Sequence, residues 1–111
     1  MVDKEYNEER DILHINWGQV AESVPKGGYV IQLDGQEDIV GVEVHNASKV
    51  LSNLTQLSEE EVTELLENIV NLKTKVVSSQ GVKFVAINIT ARIDGKEVNQ
   101  NVSMEAPAAP A

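Results

Sequence analysis

The dipeptide Asp94-Gly95 restricts the fold more than any other feature of this chain. It separates two runs, 82–93 and 96–104, in which apolar and polar residues alternate. A type I′ turn needs positive φ at both central positions, which Gly adopts freely and Asp tolerates, so the pair closes a two-residue β-hairpin. Closure at this point sets the register: Ile93 faces Lys96, Arg92 faces Glu97, Ala91 faces Val98, Ile87 faces Val102 and Val85 faces Met104. One face then gathers Val85, Ile87, Ile89, Ala91, Val98, Val102 and Met104. The other carries Asn88, Thr90, Arg92, Glu97, Asn99, Asn101 and Ser103, with Arg92 and Glu97 as a favourable cross-strand pair.

The amino-terminal half shows the same period of two in shorter pieces. Segments 11–17, 20–24, 29–34 and 39–44 read as strands, interrupted by Pro25-Lys26-Gly27-Gly28 and Gly35-Gln36-Glu37-Asp38. Proline fixes φ and glycine accepts the positive φ of tight turns, so both interruptions reverse the chain. Strands so close in sequence are joined by hairpins, which predicts an antiparallel β-meander. Between the two halves the period changes to about 3.6. Ser58-Glu59-Glu60-Glu61 is a capping box, and Val62, Leu65, Leu66, Ile69 and Leu72 follow at helical spacing. Acid in the first turn, with Lys73 and Lys75 near the end, complements the helix dipole. These features predict a helix over 59–75 and a shorter one over Ala47–Leu54, for which Asn46 supplies the capping oxygen. The expectation is an α+β fold: an antiparallel β-meander followed by two helices and a C-terminal β-hairpin, forming one domain over 1–104. The Ala- and Pro-rich end, 105–111, has nothing to bury and reads as a disordered tail.

Composition narrows the functional classes. Nine Lys+Arg against eighteen Asp+Glu give a net charge of −9, without the clustered basic face that phosphate neutralisation requires. Nucleic acid is therefore not an expected partner. The absence of cysteine excludes disulfides, thiolate metal sites and cysteine nucleophiles. No apolar run approaches the ~20 residues of a membrane-spanning helix, and the amino terminus is charged where a signal peptide would be apolar. No membrane partner is expected, and the expected location is the cytoplasm. Four Asn-x-Ser/Thr sequons are accordingly read as chance.

The first half resembles a known family. The carrying residues are Tyr6-Asn7-Glu8-Glu9-Arg10-Asp11-Ile12-Leu13-His14-Ile15, then Val30-Ile31-Gln32-Leu33-Asp34, then Ile39-Val40-Gly41-Val42-Glu43-Val44-His45-Asn46-Ala47-Ser48. Over about residues 5–51 they resemble the prokaryotic domain of unknown function 2283. Its pattern opens on Tyr-Asp-x-Glu-x-Asp-x-Leu-Tyr-Ile and closes on Val-Gly-Ile-Glu-Ile-x-Asn-Ala-Ser. Asn7 and His14 depart from it, and residues 52–111 match nothing in it. The family has no established activity to carry over. Some of its members are encoded beside small ribonuclease-like toxins, so the resemblance implies an antitoxin-like binder as an alternative function.

Chemistry-bearing residues are few. Asp11, His14, Glu43 and His45 form the candidate functional surface. If the first and last strands of the meander were neighbours, His14, His45 and Glu43 could converge as a two-histidine, one-carboxylate metal site. No local ligand spacing requires it, and the same parity describes a solvated sheet face. Gly41, Asn46 and Ser48 read as structural: a bulge or close backbone approach, then a strand-to-helix corner. Serine lacks a nucleophile elbow, the paired carboxylates fall at termini, turns and a helix start, and no phosphate loop is present. No catalytic residue, metal or cofactor is assigned. The expected function is a non-enzymatic protein-interaction or structural module, homodimeric or bound to a basic protein. A metal-dependent enzyme is the rival from another class.

Overall fold

The computed structural model describes residues 3–106. In chain order it contains β1 (Asp3–Asn7), β2 (Ile12–Asn16), β3 (Glu22–Lys26), β4 (Tyr29–Leu33), β5 (Ile39–His45), α1 (Ala47–Leu54), α2 (Glu59–Glu67), β6 (Ile69–Ser79), β7 (Val82–Ile93) and β8 (Lys96–Glu105). The α+β class and its order, antiparallel sheet, two helices and C-terminal hairpin, are as expected. Two compact units divide between Val50 and Leu51, inside α1. No helix among the described residues is long and apolar enough to cross a membrane.

The first unit is built on a five-stranded antiparallel sheet of order β1-β2-β5-β4-β3. Leu13 and Ile15 of β2, Ile31 of β4, and Val42 and Val44 of β5 share one face and are almost fully buried. The order departs from a simple meander at one connection, because β2 pairs with β5 and the segment that leaves β2 reaches β3 at the far edge. Pairing with β5 sets Leu13 against Val44 and Ile15 against Val42 on the buried face, and β1 takes the other side of β2. Trp17 N–H donating to Val40 O at 2.8 Å holds the departing chain close, and Gly18 fits there because a Cβ would lie 2.7 Å from Val40 Cγ1. Pro25 sits in β3, an edge strand where its missing N–H costs no ladder bond. The β3–β4 hairpin turns on Gly27-Gly28 alone, with Lys26 opposite Tyr29.

The second unit contains the three-stranded antiparallel sheet β6-β7-β8. Asp94 and Gly95 both have positive φ, 51° and 77°, and every cross-strand pair expected for this hairpin is present. Gln80-Gly81 repeats the device one hairpin earlier, with φ of 52° and 80° and Ser79 opposite Val82. Val85, Ile87, Ile89, Ala91, Val102 and Met104 are buried, as are Val62, Leu65 and Leu66 of α2, which packs on β7. Val98 was expected on this dry face but is 37% exposed on the edge strand β8.

Two further expectations are corrected. The helix over 59–75 stops at Glu67, where Asn68 donates its side-chain amide to Glu64 O and its backbone N–H to Leu65 O. Residues Ile69–Ser79 are the strand β6, so Lys73 and Lys75 lie on a sheet, not at a helix end. Ile69 and Leu72 stand three apart, a helical spacing that the strand accommodates with a register shift between Ile69 and Asn71, but from Leu72 onward Leu72, Thr74 and Val76 alternate with Lys73, Lys75 and Val77. The β-branched residues and the ladder to β7 decide for strand. The expected tail also begins later: Glu105 belongs to β8, and Ala106 is buried with its N–H donating to Lys83 O at 2.8 Å. The remainder of that tail, 107–111, lies outside the described residues.

Candidate functional site

The β1–β2 turn ends on Asp11, whose φ of 55° aims its carboxylate at the start of α1. Asp11 Oδ2 accepts from the Ser48 hydroxyl at 2.5 Å, both carboxylate oxygens accept from Ser48 N–H at 3.1 Å, and Oδ1 accepts from the Tyr6 hydroxyl at 2.7 Å. The Asp11 carbonyl also accepts from Ala47 N–H at 2.8 Å. Burial pushes the carboxyl pKa up, but the bonds from the Ser48 hydroxyl, the Tyr6 hydroxyl and the Ser48 amide outweigh it and hold it below the ordinary aspartate value. The oxygen that caps α1 therefore comes from Asp11, not from Asn46. Asn46 contributes its positive φ of 52° and a carbonyl that accepts from Lys49 and Val50. The corner residues Asn46 and Ser48 are where the sequence placed them, and Asp11 joins them instead of the histidines.

His14, Glu43 and His45 do come together. In the β2–β5 ladder His14 lies directly opposite Glu43, and His45 follows two residues along β5 on the same face. His45 Nε2 is 2.8 Å from Glu43 Oε1, with the histidine about half exposed. His14 instead reaches across β5: its Nε2 is 3.2 Å from Gln32 Oε1, which also accepts from Asn16 Nδ2 at 3.4 Å. Gln32 is the buried polar residue of this face, at 7% exposure. It crosses above Gly41, its register partner. A Cβ on Gly41 would collide with the Gln32 amide, lie 2.9 Å from Ile15 O and stand 3.0 Å from Asn16 Nδ2. The glycine marked in the sequence as a close approach thus admits a side chain, and Gln32 is the member of the site that sequence reasoning missed. Its only signal was Gly41, one strand away.

On this face Gln32 joins His14 and Asn16, and Glu43 pairs with His45. Glu5 stands opposite His14 on β1, so the row across three strands reads Glu5, His14, Glu43. Residues 1–50 hold ten of the eighteen acids and four of the nine basic residues, which makes this half the more acidic. Among the described residues no group of three or more His, Asp or Glu is disposed to hold a metal ion. The chemistry such a face offers is electrostatic and hydrogen-bonding: carboxylate acceptors and imidazole nitrogens side by side on an antiparallel ladder. No family model, no curated protein and no solved structure matches the chain.

Proposed function

We propose that the chain is a non-enzymatic interaction module of the cytoplasm whose five-stranded sheet offers its acidic outer face to a basic protein. The carrying observation is the row Glu5, His14, Glu43 with His45 beside it: His14 is bonded to Gln32 and His45 to Glu43, and Glu5 is exposed. A catalytic group is instead aimed at a space that a reacting atom can enter. Acid excess concentrated in the same half favours steering toward a positive surface. The resemblance of residues 5–51 to the domain of unknown function 2283 makes a basic ribonuclease-type toxin the first partner to try.

The test is co-purification with the protein encoded beside it. A complex that weakens by about tenfold in a Glu5→Lys/Glu43→Lys variant of unchanged thermal midpoint, and that loosens with salt, supports the reading. A complex indifferent to both substitutions would overturn the assignment of this face. Stoichiometric zinc, iron or manganese in protein purified without a histidine tag, lost in His45→Ala, would instead establish the metal-dependent rival.

A further inference from the structure

The second unit carries a groove of about 580 Å³ whose ten lining residues include Lys73, Lys75, Asn88, Asn101 and Ser103 and no carboxylate. In a chain with twice as many acidic as basic residues this is a local inversion of charge. The strand register explains its form. Lys73, Asn88 and Asn101 make one cross-strand row, and Lys75, Ala86 and Ser103 make the next. Ala86 and Ser103 are short beside the lysines and asparagines, so the surface dips along their row. Alternation places Lys73 and Lys75 on one face of β6, with backbones about 7 Å apart. Neither lysine makes an ion pair among the described residues, whereas Arg92 is matched by Glu97.

The amides beside them are locked in one sense. Asn88 Nδ2 donates to the Oδ1 atoms of Asn99 and Asn101, both at 2.6 Å, while Asn99 Nδ2 donates to Asn88 Oδ1 at 3.3 Å and to Thr90 Oγ1 at 2.9 Å. The oxygens of all three amides are thereby accepting within the network. Asn101 Nδ2 has no bond among the described residues and adds a neutral donor beside the two ammonium groups and the Ser103 hydroxyl, in a groove whose remaining lining is largely apolar, with Leu54, Ile87 and Val102. The acids of β8 that share this face, Glu97 and Glu105, stand in rows beyond the two ends of the patch and do not line it.

We infer that this groove binds a small organic phosphate, its dianionic group held by Lys73 and Lys75 and by the Asn101 amide, and its apolar body laid over Ala86 toward Leu54. Two point charges and neutral donors match a phosphate monoester, and lysine serves phosphate without needing a fixed fork. The proposal is independent of the acidic face of the first sheet.

Titration of the full chain with phenyl phosphate, followed by amide chemical shifts, tests it. The expected result is saturable one-site binding with shifts centred on residues 73–75, 86–88 and 101–103. Affinity should fall about tenfold or more in a Lys73→Glu/Lys75→Glu variant, as expected from losing charged donors. Asn101→Asp, which keeps the acceptor that Asn88 needs and replaces the donor by a charge, should weaken binding without altering the thermal midpoint. Lys96→Glu, in the Asp94-Gly95 turn, should leave it unchanged. Non-saturable shifts, equal affinity in the lysine variant, or equal binding of benzyl alcohol, which lacks the anion, would each overturn the proposal.

Discussion

The two helices begin only twelve positions apart in the chain, at Ala47 and Glu59, yet their first turns are satisfied in opposite ways. At α2 the donor and acceptor are neighbours: Ser58 Oγ accepts from Glu61 N–H at 3.1 Å and Glu61 Oε1 accepts from Ser58 N–H at 3.0 Å. At α1 the capping carboxylate is that of Asp11, 37 residues from Ser48. The same contrast runs through the two sheets. The three-stranded sheet is held by two successive two-residue hairpins and a regular ladder. The five-stranded sheet depends on singular contacts: Gln32 above Gly41, Gly18 against Val40, and Asp11 at the corner. Where each contact is local, one residue can be exchanged at modest cost. Where one residue joins distant segments, its replacement loosens all of them together.

Substitutions at matched positions test that contrast. Gly41→Ala should be the most damaging, at about 2–3 kcal/mol, because the new methyl meets the Ile15 carbonyl as well as Gln32. Urea unfolding of Gly41→Ala beside Gly41→Ala/Gln32→Ala should show partial recovery in the double variant, since only the side-chain clash is relieved. No recovery would mean that the backbone contact alone sets the cost. Asp11→Ala comes next, at about 2 kcal/mol, from loss of charge-assisted bonds to Ser48 and of the Tyr6 bond. Ser58→Ala should cost about 1 kcal/mol, half as much for the same formal loss of a cap. If Ser58→Ala proved the worse of the two, the contrast between local and distant capping would fail.

The two caps also differ in how they should respond to acid. Both carboxyls are more acidic in the fold than when free: Asp11 for the reasons given above, and Glu61 through its bonds to Ser58. A depressed folded pKa means stability that is complete above the unfolded value, about 3.9 for aspartate, and is lost as pH falls through the folded value. Unfolding midpoints measured from about pH 5 downward should therefore decline, and Asp11→Asn should flatten part of that decline. Glu61 is fully exposed, so Glu61→Gln should change the slope less. The smallest effect belongs to the exposed Arg92–Glu97 pair at 3.8 Å, where Glu97→Gln should shift stability by no more than about 0.5 kcal/mol.

Legibility in the sequence follows the same division. Ser58 to Glu61 and Asp94-Gly95 are signals complete within two to four residues, and the start of α2 and the β7–β8 hairpin stand where the sequence put them, down to the pairing of Val85 with Met104. Strand β6 was missed because Ile69 and Leu72 continue the helical period past Glu67. The Gln80-Gly81 turn that fixes its partner is a weaker dipeptide signal than Asp94-Gly95. In the site, the shared face of His14, Glu43 and His45 followed from parity once β2 and β5 were adjacent. That Asp11 serves α1, and that Gln32 is the partner of His14, depends on contacts between segments 18 or more residues apart, which no local pattern encodes.

The β2–β5 ladder, which sets Ile12 on His45 and Asn16 on Gly41, has a consequence for the time course of folding. It encloses the whole of the β3–β4 hairpin, so a long loop must close before its pairs form, and the entropy of that closure is lost before any contact compensates it. The strands β6 to β8 can instead zip outward from Gln80-Gly81 and Asp94-Gly95, each turn bringing its own strands together on the microsecond scale of hairpin formation. The half that carries the acidic face should thus be the later to assemble, with Asp11 reaching Ser48 as one of the last contacts made.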